Sequence, residues 1–369
     1  VKIGIFGGAF NPPHIGHTAA AARAIGEKSL DLVIVIPTGT SPHKNMPLFT
    51  PSPDIRLQMT KNAFCDIENT IVSDMEIYSA ENNYTIDTVT QIQKEYPDAK
   101  LYLLVGNDMY DSLDTWKQSD KLLSAAEPVL LRRDIVDISS TTLRGLLPER
   151  EGDQYICGAN YKLIIQHRLY NAKPNWKWLR DEAYSMLDPG RILHVKETEK
   201  AAAELAKRWN ASVDDAREAA ILHDITKRLD FNENLCIIAE HRIITNSYTN
   251  SYNINEAKIL HPLTAALLAK SMFGVSDEVA EAIKLHTTGS PGMTLLDKII
   301  YVADYIELTR DYENVEQMRR LAYEDINKAM IMGLNMVISD LADKGITPNK
   351  STYEALEDLM GVSKRKVTT

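Results

Sequence analysis

The residues able to do chemistry fall into two sets, each led by histidines. The first set is His14 and His17, inside Gly7-Gly8-Ala9-Phe10-Asn11-Pro12-Pro13-His14-Ile15-Gly16-His17. Glycine-rich backbone and two imidazoles ahead of a helix-forming run suit a triphosphate. A helix N-terminus offers unpaired N–H groups and partial positive charge, and the imidazoles add donors of adjustable charge. GxxxxGK[ST] and GxGxxG are both missing from the stretch, so it is neither the Walker loop nor the dinucleotide fingerprint. Further on, Ile138-Ser139-Ser140-Thr141-Thr142-Leu143-Arg144 sets hydroxyls before a helix and a guanidinium one turn inside it. Such hydroxyls cap helices and donate to phosphate, and the guanidinium can fork onto one. The second set is His194, His223 with Asp224, His261, His286 and Asp304, all in apolar surroundings such as Ala219-Ala220-Ile221-Leu222 and Ile299-Ile300-Tyr301-Val302-Ala303. Any one alone reads as a satisfied buried polar residue. Together they would bury several titratable groups without evident partners, a cost that convergence on a metal ion removes. A His/Asp set without Cys favours iron or manganese over structural zinc.

The elements that position the first set read as alternating strands and helices. Residues 1–6 and 32–36 are short apolar runs rich in β-branched residues, and read as buried parallel strands. Pro12-Pro13 bars an immediate helix, so the intervening helix is expected over residues 19–25, after His17. That βαβ unit directs ligands to the carboxyl ends of the strands. A helix is expected at 54–63, a strand-like piece at 74–77, a further helix from Tyr84, and strands at 100–105 and 128–131. After Trp176 the strand-like runs vanish and helical periodicity takes over, with helices expected at 198–209, 214–227, 262–273, 277–286 and 295–308. The fold class is therefore α/β, a Rossmann-like parallel-sheet domain over residues 1–172, followed by an all-α domain over 175–369, with Lys173-Pro174-Asn175 as the junction.

Composition sets the outer bounds. The chain has 369 residues, 44% hydrophobic and 25% charged, ordinary for a globular protein. A formal net charge of −10 argues against a broad nucleic-acid surface while leaving room for small anionic substrates. Cys65, Cys157 and Cys236 are odd in number, scattered and without a CxxC, which points to reduced thiols and a cytoplasmic location. No apolar run approaches the ~18 residues of a membrane span, and the chain opens on a core strand rather than a signal peptide.

GGAFNPPHIGH resembles the HxGH signature of the nucleotidylyltransferase superfamily, and its Phe10-Asn11-Pro12-Pro13 version is most similar to nicotinate-nucleotide adenylyltransferases. The resemblance implies that His14 and His17 hold ATP phosphates, with Gly7, Gly8 and Phe10 beside the nucleotide. Pro42-His43-Lys44 is similar to the PHK of that family, which sets His43 and Lys44 on the nucleotide side. Tyr84-Thr85-Ile86-Asp87-Thr88 resembles the element whose threonine lies near the nicotinate ring, although Thr85 alone reads as an N-cap. Gly106-Asn107-Asp108 with Leu113 and Trp116 resembles GxDxxxxLxxW. That match implies Asp108 on the ATP ribose and Trp116 stacked on the pyridine, a sensible pairing for a cationic ring. Ile138, Ser139, Ser140, Thr141 and Arg144 resemble the second phosphate clamp, ISSTxxR. The segment Arg132-Arg133-Asp134-Ile135-Val136-Asp137 before it is shorter than the family's usual one.

The order His, His-Asp, His, His, Asp resembles the HD-domain metal phosphohydrolases. Ile221-Leu222-His223-Asp224-Ile225-Thr226-Lys227, His286-Thr287-Thr288-Gly289 and Ala303-Asp304-Tyr305-Ile306-Glu307 with Arg310 narrow it to the YqeK-like symmetrical diadenosine tetraphosphate hydrolases. The resemblance implies iron held by His194, His223, Asp224 and Asp304. It also implies a second position completed by His261 and His286, with Lys227 and Arg310 facing polyphosphate.

The expected protein is a bifunctional enzyme. Its first half transfers AMP from ATP, carried with Mg²⁺, to nicotinate mononucleotide, with His14, His17, Lys44 and Arg144 stabilising the charge. Its second half hydrolyses diadenosine tetraphosphate to two ADP with a metal-activated hydroxide, Asp224 being essential. The alternative is transfer to another acceptor, nicotinamide mononucleotide or phosphopantetheine, with an HD domain that senses nucleotides without turnover. Nucleic acid and membrane are not expected partners, and a homo-oligomer is left open.

Overall fold

The computed structural model describes residues 1–39, 50–78, 84–131, 136–241 and 257–361, apart from the side chains of 108 and 257–259. The chain divides into two compact units, Val1–Asn175 and Trp176–Thr369.

The first unit is built on strands β1 (Lys2–Gly8), β2 (Leu32–Pro37), β3 (Thr70–Val72), β4 (Lys100–Gly106) and β5 (Ala126–Leu131). They form one parallel sheet in the order β3-β2-β1-β4-β5. Helices α1 (Ile15–Lys28), α2 (Pro53–Phe64), α3 (Thr85–Glu95), α4 (Asn107–Tyr110), α5 (Ser119–Ala125), α6 (Ser140–Leu146) and α7 (Gly158–Gln166) complete it. Strand side chains alternate between two cores. Ile3, Ile5, Ile34, Ile36, Leu101 and Leu103 pack on one face, and Phe6, Val33, Val35, Tyr102 and Leu104 on the other. Burial on both faces is why these strands read as unbroken apolar runs. The chain leaves β1 towards β2 and later returns to β4 on its other side. The carboxyl ends of β1 and β4 therefore meet at the switch in strand order, where such sheets bind ligands.

Two expectations change here. Residues 74–77 form a turn, closed by the Ile77 N–H on the Asp74 carbonyl (2.9 Å), and the edge strand is Thr70–Val72 instead. The loop after β2 runs so close to this turn that a Cβ on Gly39 would lie 2.1 Å from the Glu76 carbonyl oxygen, leaving no space for a side chain. The second change is α1, which begins at Ile15, ahead of His17. Pro12 and Pro13 precede its N-cap His14, and proline is barred from a helix interior, not from the residues before it.

The second unit is helical, with α8 (Trp176–Ser185), α9 (Pro189–Arg208), α10 (Val213–Leu222), α11 (Phe231–Glu240), α12 (Ala257–Phe273), α13 (Asp277–Leu285), α14 (Leu295–Ile306), α15 (Val315–Glu324), α16 (Ile326–Asp343) and α17 (Lys350–Leu359). One core of small and aliphatic side chains runs through it, Ala202, Ala219, Ile221, Ala265, Ala282 and Val302 among them. The many alanines let helices approach closely, so side chains from several of them can reach one point. Among the described residues, no helix is long and apolar enough to cross a membrane.

Candidate active sites

In the first unit, the glycine turn after β1 leads directly into the N-terminus of α1. His14 is the N-cap, with extended backbone at φ −148°, ψ 169°, and His17 is the third helical residue. The His14 N–H donates to His17 Nδ1 at 3.2 Å. With Nδ1 accepting, the neutral His17 ring carries its proton on Nε2. The two rings lie 3.8 Å apart at 37°, and the His17 ring leans on Phe10 at 5.0 Å. Phe10 is itself buried, so any contact it makes with a nucleotide comes through its backbone, while its ring supports His17. Gly16 makes the close ring packing feasible, because a Cβ there would stand 2.9 Å from His14 Nδ1.

The hydroxyl cluster comes from the far end of the unit to the same loop. Ser139 caps α6 by accepting from the Thr142 N–H at 3.0 Å. Ser140 Oγ donates to the Pro12 carbonyl at 2.8 Å. Arg144 donates to the Asn11 carbonyl at 2.7 Å and to Thr141 Oγ at 3.0 Å. Tyr170, shortly after α7, donates to the Asn11 side-chain carbonyl at 2.7 Å. Gly7, Gly8, His14, His17, Ser140 and Arg144 thus gather around one loop, with Ile138 buried against Gly16.

Gly106 ends β4 and caps α4, which carries Asp108. Thr85 is the first residue of α3, and Tyr84, not Thr85, is its N-cap. Trp116 and Tyr84 pack on the same core, and the Lys117 ammonium sits 3.8 Å from the Tyr84 ring centre, linking the two segments. His43, Lys44 and the side chain of Asp108 lie outside the described residues.

Arg56 had no assigned role in the sequence. It is fully buried, and its guanidinium donates to the carbonyls of Ala9 (3.0 Å), Thr38 (2.6 Å) and Gly39 (3.0 Å), tying the loop after β1 to the loop after β2. A single arginine on a helix gives no sign in the sequence of bridging two loops.

In the second unit, His194 projects from the second turn of α9. His223 and His286 are the C-cap residues of α10 and α13, Asp224 follows α10, His261 lies within α12 and Asp304 within α14. The helix expected through Lys227 stops at Leu222, so the His-Asp pair leaves a helix end instead of splaying around one helix. All six side chains converge. His194 Nε2 stands 3.3 Å from His223 Nε2 and 3.1 Å from Asp304 Oδ1. Asp224 Oδ2 faces His223 at 3.4 Å and His194 at 3.7 Å. Its Oδ1 faces His261 at 3.2 Å and His286 at 3.6 Å, and those two imidazoles are 3.2 Å apart.

The outer nitrogens of His194, His223 and His286 all face acceptors. His223 Nδ1 lies 2.7 Å from the Ala220 carbonyl, His286 Nδ1 2.6 Å from the Ile283 carbonyl, and His194 Nδ1 3.1 Å from Glu307 Oε1. An acceptor at each Nδ1 favours the tautomer with its proton there, which turns three Nε2 lone pairs inward beside two carboxylates. A bound cation relieves inward lone pairs at these distances, and the histidine–carboxylate set fits a divalent metal. His194, His223 and Asp224 form one group whose ligand atoms all lie within 4.8 Å of one another, and Asp224, His261 and His286 form another.

The electrostatics agree. Burial opposes charge on Asp224, but His223, His261 and His286 hold it well below the ordinary carboxylate range. Burial likewise opposes charge on Asp304, which His194, His223 and Arg310 hold down. Burial pushes the His261 imidazole down to about 3, in the neutral form that ligates metal, and pushes His286 down as well. Burial also opposes charge on His223, but Asp224, Asp304 and the Ala220 carbonyl together outweigh it and raise this imidazole. Three cations rim the cluster. Arg191 lies 2.5 Å from Asp224 Oδ2, Arg310 lies 2.5 Å from Asp304 Oδ1, and Lys227 lies 3.0 Å from His261 Nε2. Arg191 was not picked out in the sequence. Its signal is the spacing, one turn before His194 on the same helix face.

The fold and the two clusters define a nucleotidylyltransferase-type α/β unit joined to a helical HD-type metal unit. Known families match in the same places, cytidylyltransferase-like at residues 5–146 and HD domain at residues 191–309. A probable nicotinate-nucleotide adenylyltransferase/Ap4A hydrolase of Mycoplasma genitalium is 27% identical over 91% of this chain and 97% of its own. The symmetrical bis(5'-nucleosyl)-tetraphosphatase of Bacillus subtilis is 36% identical over 45% of this chain and 89% of its own. A probable nicotinate-nucleotide adenylyltransferase of Shouchella clausii is 34% identical over 46% of this chain and 96% of its own. The chain belongs to the nicotinate-nucleotide adenylyltransferase family and, fused to it, to the symmetrical bis(5'-nucleosyl)-tetraphosphatase family of HD-domain hydrolases.

Proposed function

We propose that this chain makes deamido-NAD from ATP and nicotinate mononucleotide, and separately splits diadenosine tetraphosphate into two ADP. The observation that carries both halves is the gathering of each set of sequence-distant polar residues at one point, around the loop before α1 and around Asp224.

In the first half, assigned to residues 1–172, the 5'-phosphate of the acceptor attacks the α-phosphorus of Mg²⁺-bearing ATP in line. A P–O bond forms as the bond to the departing pyrophosphate breaks. No protein nucleophile is needed, so catalysis is positioning and charge stabilisation. His17 donates from Nε2, while His14, Arg144, Lys44 and the N–H groups opening α1 share the triphosphate charge. Gly7, Gly8, Phe10, Gly106, Asp108 and residues 138–141 hold the rest of ATP. His43, Lys44, Thr85 and Trp116 take the pyridine nucleotide, with nicotinate preferred over nicotinamide. Equal kcat/KM for the two acceptors would show that the pyridine carboxylate is not read.

In the second half, assigned to residues 175–369, His194, His223, Asp224 and Asp304 would hold one divalent ion. Asp224 reaches with its other oxygen towards a second position at His261 and His286. Iron or manganese suits this histidine–carboxylate set. The bound metal supplies Lewis-acid activation of water and of the phosphate it touches. The chain's own part is to draw the polyphosphate in with Lys227, Arg310 and Arg191 and to neutralise charge as the central P–O bond breaks and ADP leaves. Three unpaired cysteines and nucleotide substrates support a cytoplasmic location. The test is product analysis with ATP plus nicotinate mononucleotide, and separately with diadenosine tetraphosphate. Failure of either product to form removes that half of the proposal.

A further inference from the structure

Glu307 belongs to none of the metal-ligand groups of the second unit. Its backbone leaves α14 in extended conformation, at φ −56°, ψ 155°, one turn after Asp304. Its carboxylate is buried, at 1% exposure, and donors from His194, Thr309 and Arg310 converge on it, with Arg310 Nε 3.5 Å from Oε1. Oε1 lies 3.1 Å from His194 Nδ1 and accepts from Thr309 Oγ at 2.5 Å, and Oε2 accepts from the Thr309 N–H at 2.6 Å. The other nitrogen of His194 is the one facing Asp304 and His223.

We propose that Glu307 is the positioning residue that keeps the His194 proton on Nδ1 and so aims its Nε2 lone pair at the metal position. The inference rests on the metal-centre reading above. His223 and His286 need no such partner. Each sits at a helix C-cap, where carbonyls of the last turn lack intrahelical donors, and each turns Nδ1 onto the carbonyl three residues back. His194 lies inside α9, where the carbonyls are already used by the helix. Its Nδ1 acceptor has to come from another element, and the end of α14 provides it. A carboxylate in that place also makes the imidazole a stronger ligand than a backbone carbonyl does.

The donor inventory shows why glutamine cannot substitute. Every group around Glu307 donates, the more distant Arg310 guanidinium included, and a carboxylate accepts on both oxygens. An amide has one accepting oxygen and an NH₂, so Glu307→Gln sets NH₂ against either the Thr309 N–H or the His194 Nδ1–H. Turned towards His194, the amide selects the tautomer with its proton on Nε2, which cannot bind metal.

The experiment strips metal from the full chain with a chelator and titrates Mn²⁺ back against a competing indicator. For Glu307→Gln the expected outcome is an affinity about 10- to 100-fold below wild type. The metal-free variant should still melt in a cooperative transition, at or below the metal-free wild-type midpoint, and adenylyl transfer should be unchanged. Saturating Mn²⁺ should restore kcat for diadenosine tetraphosphate only in part, with KM little altered. Wild-type Mn²⁺ affinity in Glu307→Gln overturns the proposal. If that variant does not fold, Thr309→Val decides in its place. It removes one donor that holds the carboxylate, so a smaller loss of Mn²⁺ affinity is expected, and none overturns the assignment. A wild-type chain that takes up no Mn²⁺ would instead overturn the metal-centre reading.

Discussion

The two sites solve opposite electrostatic problems. Around the loop before α1, His14, His17, Ser140, Arg144 and the helix N-terminus are donors, half-exposed for the most part and built on loops at strand ends. Around Asp224 the inward groups are acceptors, lone pairs and carboxylates, buried among packed helices. Donors in water carry little penalty, so an anion site can stand open between turnovers. Acceptors massed in a core repel one another and lose their hydration, and a resident cation offsets both. The difference teaches that the charge of the bound species decides where in a fold its site can be placed. A transient anion suits the rim of a sheet, and a permanent cation suits the middle of a bundle.

The sharpest way to break the comparison is Asp224→Ala. It removes the carboxylate that faces all four imidazoles. Diadenosine tetraphosphate hydrolysis should fall below detection and bound metal should be lost by elemental analysis, with adenylyl transfer intact. An active, metal-replete variant would mean that the inward acceptors serve some other end.

His17→Ala makes the matching cut in the open site. Its Nε2 donor should matter more to the transition state than to bound ATP, so kcat should fall on the order of 10²-fold with a smaller rise in the KM for ATP. Steady-state kinetics of both activities on one preparation checks this, since hydrolysis should not change. Near-normal kcat would remove His17 from its role.

Gly16→Ala tests the packing beneath that donor. The new Cβ meets His14 Nδ1 at 2.9 Å, so the ring must move by a few tenths of an ångström. We expect about a tenfold loss in kcat, since a misplaced charge-stabilising group acts on the barrier at ~1.4 kcal/mol per tenfold. Unchanged kcat would show that the position of the His14 ring is not critical.

The smallest effect sharpens the contrast between resident and transient ligands. Metal at 100 times its dissociation constant stabilises by about 2.7 kcal/mol, which for a unit of this size is a shift of roughly 5–10 °C in Tm. A chelator should lower the melting of the second unit by that amount and leave the first unit's where it was. A scan that the chelator does not alter would mean that no ion holds the cluster.

The sequence by itself determined the fold class and most of the candidate residues. Continuous apolar strands at 32–36 and 100–105 follow from burial on both sheet faces, and the His and Asp residues stand out because apolar helices seldom carry titratable groups. Local geometry was less legible. Pro12-Pro13 concealed that α1 starts at Ile15, the strand-like 74–77 is a turn, and α10 ends before the His-Asp pair. Helix ends depend on which carbonyls find tertiary partners, and single residues do not encode that. Arg56, Arg191 and Glu307 were decided only by the tertiary structure. Each acts through the element it reaches: the carbonyls of two loops for Arg56, the carboxylate of Asp224 for Arg191, and the Nδ1 of His194 for Glu307. A sequence shows which side chains can donate or accept. Which donor meets which acceptor depends on how the chain brings distant segments within about 3 Å, and folding alone sets those distances.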